Sequence, residues 1–334
     1  MKSLTRRQFV RLCEGAAASI VSSGCAGVDG RRENEVQATL FCFDTVCTLG
    51  GVMEQRTLEE AEGLCMRFER LLSRTIATSD VSRVNGARGQ AVEVDPQTAE
   101  LVRLAMRYCE KSNGLFDVTI GAVSELWDFK AGVVPSDDAI RAALPHVGWE
   151  QVDVGKATIR LADPEARLDL GGIAKGYIAD RLVDLFAERG VASGFVNLGG
   201  NVKVLGPKAD GSPWTVGVQN PFDEDGPVVA KIRTVGGSLV TSGLYERAFE
   251  AGGRRYWHIL DPRTGYPVES SLVSASIYSA ASVDGDGFNK PLFMLGQSEA
   301  ISFVESQGGL QALLVDQNGA VSCTSNSEFD GWRS

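Results

Sequence analysis

Between Gly194 and Ala280 the chain carries six strand-like segments in succession, "GFVNLGGNVKVLG", "WTVGVQN", "VVAKIRTVG", "GSLVTSG", "RRYWHILD" and "LVSASIYSA", with no helical run among them. A doubly wound parallel sheet needs a crossover helix between consecutive strands, so this order argues against one and for an α+β fold. The first half is richer in helix. "TLEEAEGLCMRFERLLSRT" places Leu58, Ala61, Leu64, Cys65, Phe68 and Leu72 at helical spacing. In "DPQTAELVRLAMRYCEKSNG", Asp95 is the expected N-cap, Pro96 the first helical residue and Gly114 the stop. Leu40–Val52 reads as a first strand, "SDVSRVN" as a polar turn and Pro135–Leu144 as a short helix. A hairpin is expected around Val152 and Ile159, and a last helix in "KPLFMLGQ" or "SEAISFVES".

The N-terminus has a different character. Arg6 and Arg7 precede the modest apolar run "EGAAASIVSSGC", the pattern of a twin-arginine export signal ending in a lipobox-like Cys25. The expected organisation is therefore a signal over 1–25, a tether over 26–38, one catalytic-size domain over 39–325 and a tail over 326–334. Removing 1–25 takes away four positive charges and one negative, moving the net charge from −10 to −13. So acidic a chain is a poor match for nucleic acid, and an anionic ligand would have to be held by local donors. No Cys-x-x-Cys or His/Cys cluster suggests zinc. Cys42 and Cys47, an odd number apart in one strand, would point to opposite faces.

Several stretches carry chemistry. In "RLDLGGIAKGYIAD" a strand reaches Asp169, Gly171 and Gly172 follow, and a helix opens with Lys175 in its first turns. Glycines that let backbone approach a ligand, a helix N-terminus and an ammonium group together suit a phosphate, although the motif is neither a Walker loop nor a dinucleotide fingerprint. "NLGGN" (Asn197–Asn201) and "VTSGLYER" (Val240–Arg247) repeat the polar-glycine theme, the second ending in an expected Glu246–Arg247 ion pair. Of the two histidines, His146 reads as structural. His258 is the candidate acid–base, in a strand followed by Asp261, Arg263 and Thr264. "SVDGDGFNKPLFMLG" sets Asp284 and Asp286 among glycines, either a carboxylate site for Mg2+ or Ca2+ or an acidic turn before a helix started by Pro291.

Taken in order, "SDVSRVN", "GLFDVTIG…LW", "DLGGIAKGYIAD", "NLGGN", "TSGLYER" and "HILDPRTGYP" resemble the ApbE-like FAD:protein FMN transferases, over about Leu40–Gln311. The resemblance implies two intimately packed lobes with mixed and antiparallel sheets, flanking helices and FAD in the cleft between them. It implies transfer of FMN from FAD, with a divalent metal such as Mg2+, to a Thr or Ser hydroxyl of an acceptor protein, releasing AMP. By position, Phe43, Thr75, Leu115, Phe116, Asp117, Asp169, Lys175 and Ile259 would contact FAD. Gly172, through its carbonyl, and Asp286 would hold the metal, and His258 would be the base. Phe43 stands where the family has Met, Thr75 where it has Tyr, and Lys290 where it has a metal-ligating Thr. Lysine offers no lone pair to a cation, so either Asp284 or Asn289 completes the metal shell or the lysine's charge partly replaces the metal. FAD hydrolysis to FMN and AMP, and FAD binding without chemistry, are the alternative outcomes. An exported, lipid-anchored enzyme would meet its acceptor, an electron-transfer flavoprotein subunit, at the outer face of the membrane.

Overall fold

The computed structural model describes residues 35–331 except 224. The twin-arginine segment and Cys25 lie outside the described residues. Among them, no helix is long and apolar enough to cross a membrane.

The expected first strand is a hairpin, β1 (Glu35–Cys42) and β2 (Thr45–Val52), so the folded body already includes part of the expected tether. Phe43 and Asp44 form the turn, at φ 54° and 58°. Two consecutive left-handed residues match the twist of the strands they join. The turn also reverses the argument about Cys42 and Cys47: both side chains enter the core, with Sγ atoms 3.2 Å apart.

Helix α1 (Gln55–Leu72) follows, then α2 (Asp80–Gly86), formed where a polar turn was expected because Ser79 caps it through the Ser82 amide. Short β3 (Val92–Glu93) leads to α3 (Pro96–Lys111), whose N-cap is Asp95 as expected. Next come α4 (Gly121–Ser124), α5 (Asp137–Ala143) and the hairpin β4 (Val152–Val154) and β5 (Thr158–Leu161). Helix α6 (Ala174–Glu188) precedes β6 (Ser193–Leu198), β7 (Asn201–Leu205), β8 (Trp214–Val218), β9 (Ala230–Thr234) and β10 (Gly236–Gly243). The remaining elements are β11 (Ala248–Ala251), β12 (Arg254–Trp257), β13 (Leu272–Ser279), α7 (Ser282–Leu295), α8 (Gln297–Gln307), β14 (Gln311–Asp316) and β15 (Val321–Cys323).

The main sheet has eight strands in the order β1-β2-β6-β7-β10-β13-β14-β15, every neighbouring pair antiparallel. Alternate residues serve two cores. Val196, Leu198, Ala312 and Leu314 join the large core under the helices, whereas Phe195, Val202, Leu313 and Val315 join a second core beneath the β8–β9 hairpin. Phe329 is buried in that second core and Asp330 pairs with Lys231, so this part of the expected tail is docked. A third, aromatic cluster fastens β11 and β12 to the region around Val123, Trp127 and Ile140. The fold is α+β, as the strand order requires.

Helix α7 departs most from expectation. It begins at Ser282, includes both aspartates, and has Pro291 in its interior. Its glycines serve packing rather than flexibility. A methyl group at Gly285 would lie 2.6 Å from Val240, and one at Gly287 would lie 2.5 Å from the Tyr108 ring. Close contact with β10 and α3 outweighs the poor helix propensity of Gly and Pro.

Candidate active site

The site is built where α6 crosses α7. Gly176 makes the crossing possible, since a methyl there would meet the Ser282 carbonyl oxygen at 2.6 Å. Asp180, one turn on, caps α7 from across the interface, accepting from the amides of Ser282 (2.8 Å) and Val283 (3.0 Å). Lys203 of β7 balances it at 2.5 Å. The "GYIAD" sequence thus locks one helix end onto the start of another.

That crossing buries Asp286, which is 1% exposed. Its Oδ2 accepts from the Gly176 amide at 2.6 Å and from Asn201 Nδ2 at 2.9 Å. Its Oδ1 accepts from Lys290 Nζ at 2.9 Å, and the same ammonium reaches the Asp286 carbonyl at 3.3 Å. Asn201 comes from the β6–β7 turn, where Gly199 and Gly200 take φ of 58° and 97° and the Gly200 amide donates to Asn197 Oδ1. The diglycine motif lies alongside: a methyl on Gly172 would be 3.1 Å from the Phe116 ring and 3.9 Å from Lys290 Cε. Phe116, Gly172, Lys290 and Asp286 are therefore one assembly.

These donors do not fit a divalent cation. Both Asp286 oxygens are taken, one by an ammonium group that cannot ligate. Asp284, two residues away and so on another face of α7, accepts from the Tyr108 hydroxyl at 2.6 Å instead of completing a shell. Asn289 uses its Nδ2 to bridge the carbonyls of Val240 and Ala275, both at 3.1 Å. No group of three or more His, Cys, Asp or Glu side chains among the described residues could hold a metal. Ca2+ takes six to eight oxygen ligands, and Mg2+, although waters and phosphates fill much of its shell, still needs a protein carboxylate free of a competing ammonium group.

His258 faces the same assembly. Its main-chain N–H donates to the Arg247 carbonyl at 3.1 Å, while its Nδ1 is buried with no partner. Burial first, then the charges of Arg247, Lys175 and Lys290, lower its pKa from 6.5 to about 3, so the imidazole is neutral and ready to accept a proton. Asp261 does not orient it; that carboxylate is held by Arg263 at 2.7 Å inside its own turn. Glu246 was expected to pair with Arg247. Arg247 instead reaches Asp44 in the β1–β2 turn, at 3.5 Å. The surface of Glu246 is open to solvent, but the protein mass around it raises its carboxyl to about 7, against the opposing pull of Lys175, Lys290 and Arg247. Desolvation likewise lowers the Lys290 pKa, with Asp286 acting in the other direction. Lys175 makes no hydrogen bond or ion pair among the described residues, and its charge is felt by His258, Glu246 and Lys290.

The other expected contacts divide. Asp117 is 7% exposed, and its carboxylate is consumed by the Thr119 amide (2.7 Å) and hydroxyl (2.6 Å) and the Trp149 amide (3.2 Å). Desolvation raises its pKa, and its role is to hold the loop that presents Phe116 and half-buried Leu115. The Ile259 side chain packs into the large core. Asp169 is fixed by the Gly171 amide (2.9 Å), the Ser124 hydroxyl (2.7 Å) and Arg74 (3.3 Å). Thr75, exposed beside Arg74, hydrogen-bonds Ser73. On the Arg74 side lies a cavity of about 440 Å3 lined by Arg74, Ser82, Asn85, Arg88, Glu125 and Arg167. Lys175, His258 and Lys290 are absent from that lining, so this cavity is distinct from the α6–α7 assembly. Phe43 is half-buried in its turn, its amide donating to Glu69 at 3.0 Å. Gly176, Asp180, Asn201 and Lys203 carry the geometry without having been singled out as site residues. Only the helical assignment of α7 would have exposed the i,i+4 pairing of Asp286 with Lys290.

Known proteins with this geometry can now be compared. Residues 42–314 match the model of the ApbE family. FAD:protein FMN transferases from Klebsiella pneumoniae and Treponema pallidum are each 36% identical, over 76% and 77% of this chain and 80% and 76% of their own length. The crystal structure of the ApbE protein from Thermotoga maritima superposes with a TM-score of 0.81 at 30% identity, covering 87% of this chain and 97% of that one. The apo Pseudomonas stutzeri flavinyl transferase ApbE gives 0.78 at 27% identity, covering 89% and 97%. On this agreement in sequence and fold, the chain belongs to the ApbE family.

Proposed function

We propose that this protein transfers the FMN half of FAD to a Ser or Thr hydroxyl of an acceptor protein and releases AMP. The observation carrying this reading is the convergence of Lys175, Lys290 and Arg247 on a neutral His258, in a chain whose overall charge is −10. A local cluster of cations in an acidic protein is a specific anion site rather than a general field. Beside it, Gly171 and Gly172 bring backbone to the start of α6, where helix-end amides favour phosphate oxygens. FAD supplies the pyrophosphate. The cations reduce the charge repelling an incoming oxygen, and His258 takes the hydroxyl proton as the oxygen attacks phosphorus. Fixed Phe116 and the Asp117-held loop form the wall next to Gly172.

The divalent metal expected from the family resemblance has no part in this reading, because Lys290 occupies the carboxylate that would bind it. Export and anchoring through Cys25 are proposed from Arg6, Arg7 and the "SSGC" run, with a membrane or extracytoplasmic electron-transfer protein as acceptor. The test is incubation with FAD and a flavin-acceptor protein. Flavin fluorescence should follow the acceptor on a denaturing gel, and AMP should appear only with acceptor. AMP formed equally without acceptor would assign FAD hydrolysis instead.

A further inference from the structure

We propose that the Lys290 ammonium group stands in for a divalent cation, so that FAD binding and FMN transfer by this protein are independent of Mg2+. The inference rests on the flavin-transfer reading and adds to it the source of the neutralising charge. Lys290 is well placed for that role. It is bound to Asp286 by an i,i+4 ion pair at 2.9 Å, and its side chain is 18% exposed. Its stem passes 3.9 Å from the position a Gly172 methyl would occupy, so its charged end lies at the diglycine turn where the pyrophosphate would enter.

The charge balance agrees. Lys175, Lys290 and Arg247 contribute three positive charges, Asp286 and the Asp44 carboxylate beside Arg247 two negative ones, and Glu246 a carboxyl raised to about 7. The site is net positive before any metal is added, and FAD's pyrophosphate carries two negative charges. A metal would have to displace Lys290 from Asp286, leaving a largely enclosed ammonium without its counter-charge, which is a costly exchange. During transfer the acceptor oxygen forms a bond to the FMN-side phosphorus while the P–O bond to AMP breaks. The electron pair of the broken bond leaves on AMP, and the hydroxyl proton passes to His258. Lys290 makes and breaks no bond; it offsets phosphate charge throughout.

The experiment is FAD titration of the full protein by flavin fluorescence, in EDTA and in excess Mg2+, with Mn2+ uptake followed by EPR and FMN transfer followed in parallel. For the wild type, the FAD Kd should change by less than about twofold between the two conditions, and Mn2+ should stay free. Lys290→Met should weaken FAD binding about tenfold or more in EDTA, and Lys290→Thr should become Mg2+-dependent and take up Mn2+. Tightening of wild-type FAD binding by about tenfold on adding Mg2+, or wild-type uptake of Mn2+, would overturn the inference while leaving flavin transfer standing. Absence of FAD binding in both conditions would overturn the function itself and this inference with it. If the variants do not fold, as circular dichroism would reveal, the wild-type comparison decides alone.

Discussion

The two histidines of this chain occupy opposite electrostatic settings. His146 sits in the loop after α5, with Nδ1 2.7 Å from the Asp163 carboxylate. Burial is the largest single influence and opposes the charge on Asp163, but the His146 hydrogen bond and the Glu165 amide together outweigh it and lower its pKa. His258 has no carboxylate on its ring. Burial first, and then the charges of Arg247, Lys175 and Lys290, hold its pKa at about 3. A paired histidine is a fastener; one kept neutral among cations can accept a proton and, once charged, needs an anion nearby. The difference teaches that burial together with neighbouring charge, more than residue type or strand position, separates the reactive imidazole from the structural one.

The comparison can be broken most directly by truncating each ring. His258→Ala should lower the FMN transfer rate on the order of 10²–10⁴-fold with FAD affinity changed only several-fold. Equal transfer by variant and wild type would remove His258 from the chemistry. The next largest effect concerns the crossing that brings the cations to His258. Gly176→Ala should cost about 1–3 kcal/mol of stability by overpacking against Ser282, read as a lower Tm, and should weaken FAD binding with it.

Arg247→Met sharpens the comparison through pH. His258 must be neutral to act, and in the free enzyme its pKa is about 3. Removing the strongest neighbouring cation should raise that value toward 6.5, so the acid limb of kcat/KM should move to higher pH than in the wild type. An unshifted limb would mean that Arg247 does not set the histidine's charge. A linked stability effect has a definite sign. Because the folded-state pKa is depressed, the contribution of neutral His258 is fully present above about pH 6.5 and is lost as pH falls toward 3. His258→Gln should flatten this part of the stability profile. The smallest change is expected for His146→Ala: about 0–1 kcal/mol of stability and unchanged transfer, as for a partly exposed hydrogen-bonded contact.

Much of the architecture could be read from local pattern. The unbroken series of strand segments after Gly194 required antiparallel pairing, and the eight-stranded sheet delivers it. Asp95 and Pro96 marked the start of α3 because capping depends only on neighbouring residues. Errors arose where distant packing overrode local preference. The glycines and proline of α7 looked like a turn, yet Val240 and Tyr108 fill the space their missing side chains leave. An odd spacing puts Cys42 and Cys47 on opposite faces only of an unbroken strand, and the Phe43–Asp44 turn between them breaks it. Asp117 and Ile259, which match ligand-contacting positions by sequence, have their side chains engaged by a loop and by the core.

The amino-acid order alone therefore determined the α+β class, the acidic surface and the set of chemically capable groups, since strand succession, charge and residue type are local properties. Tertiary structure decided that Lys290 neutralises Asp286, that Asp284 turns away toward Tyr108, and that His258 faces cations instead of Asp261. The physical reason is distance: electrostatic and steric effects act over a few ångströms, and only the folded chain brings residues from α6, α7 and the β6–β7 and β10–β11 connections that close.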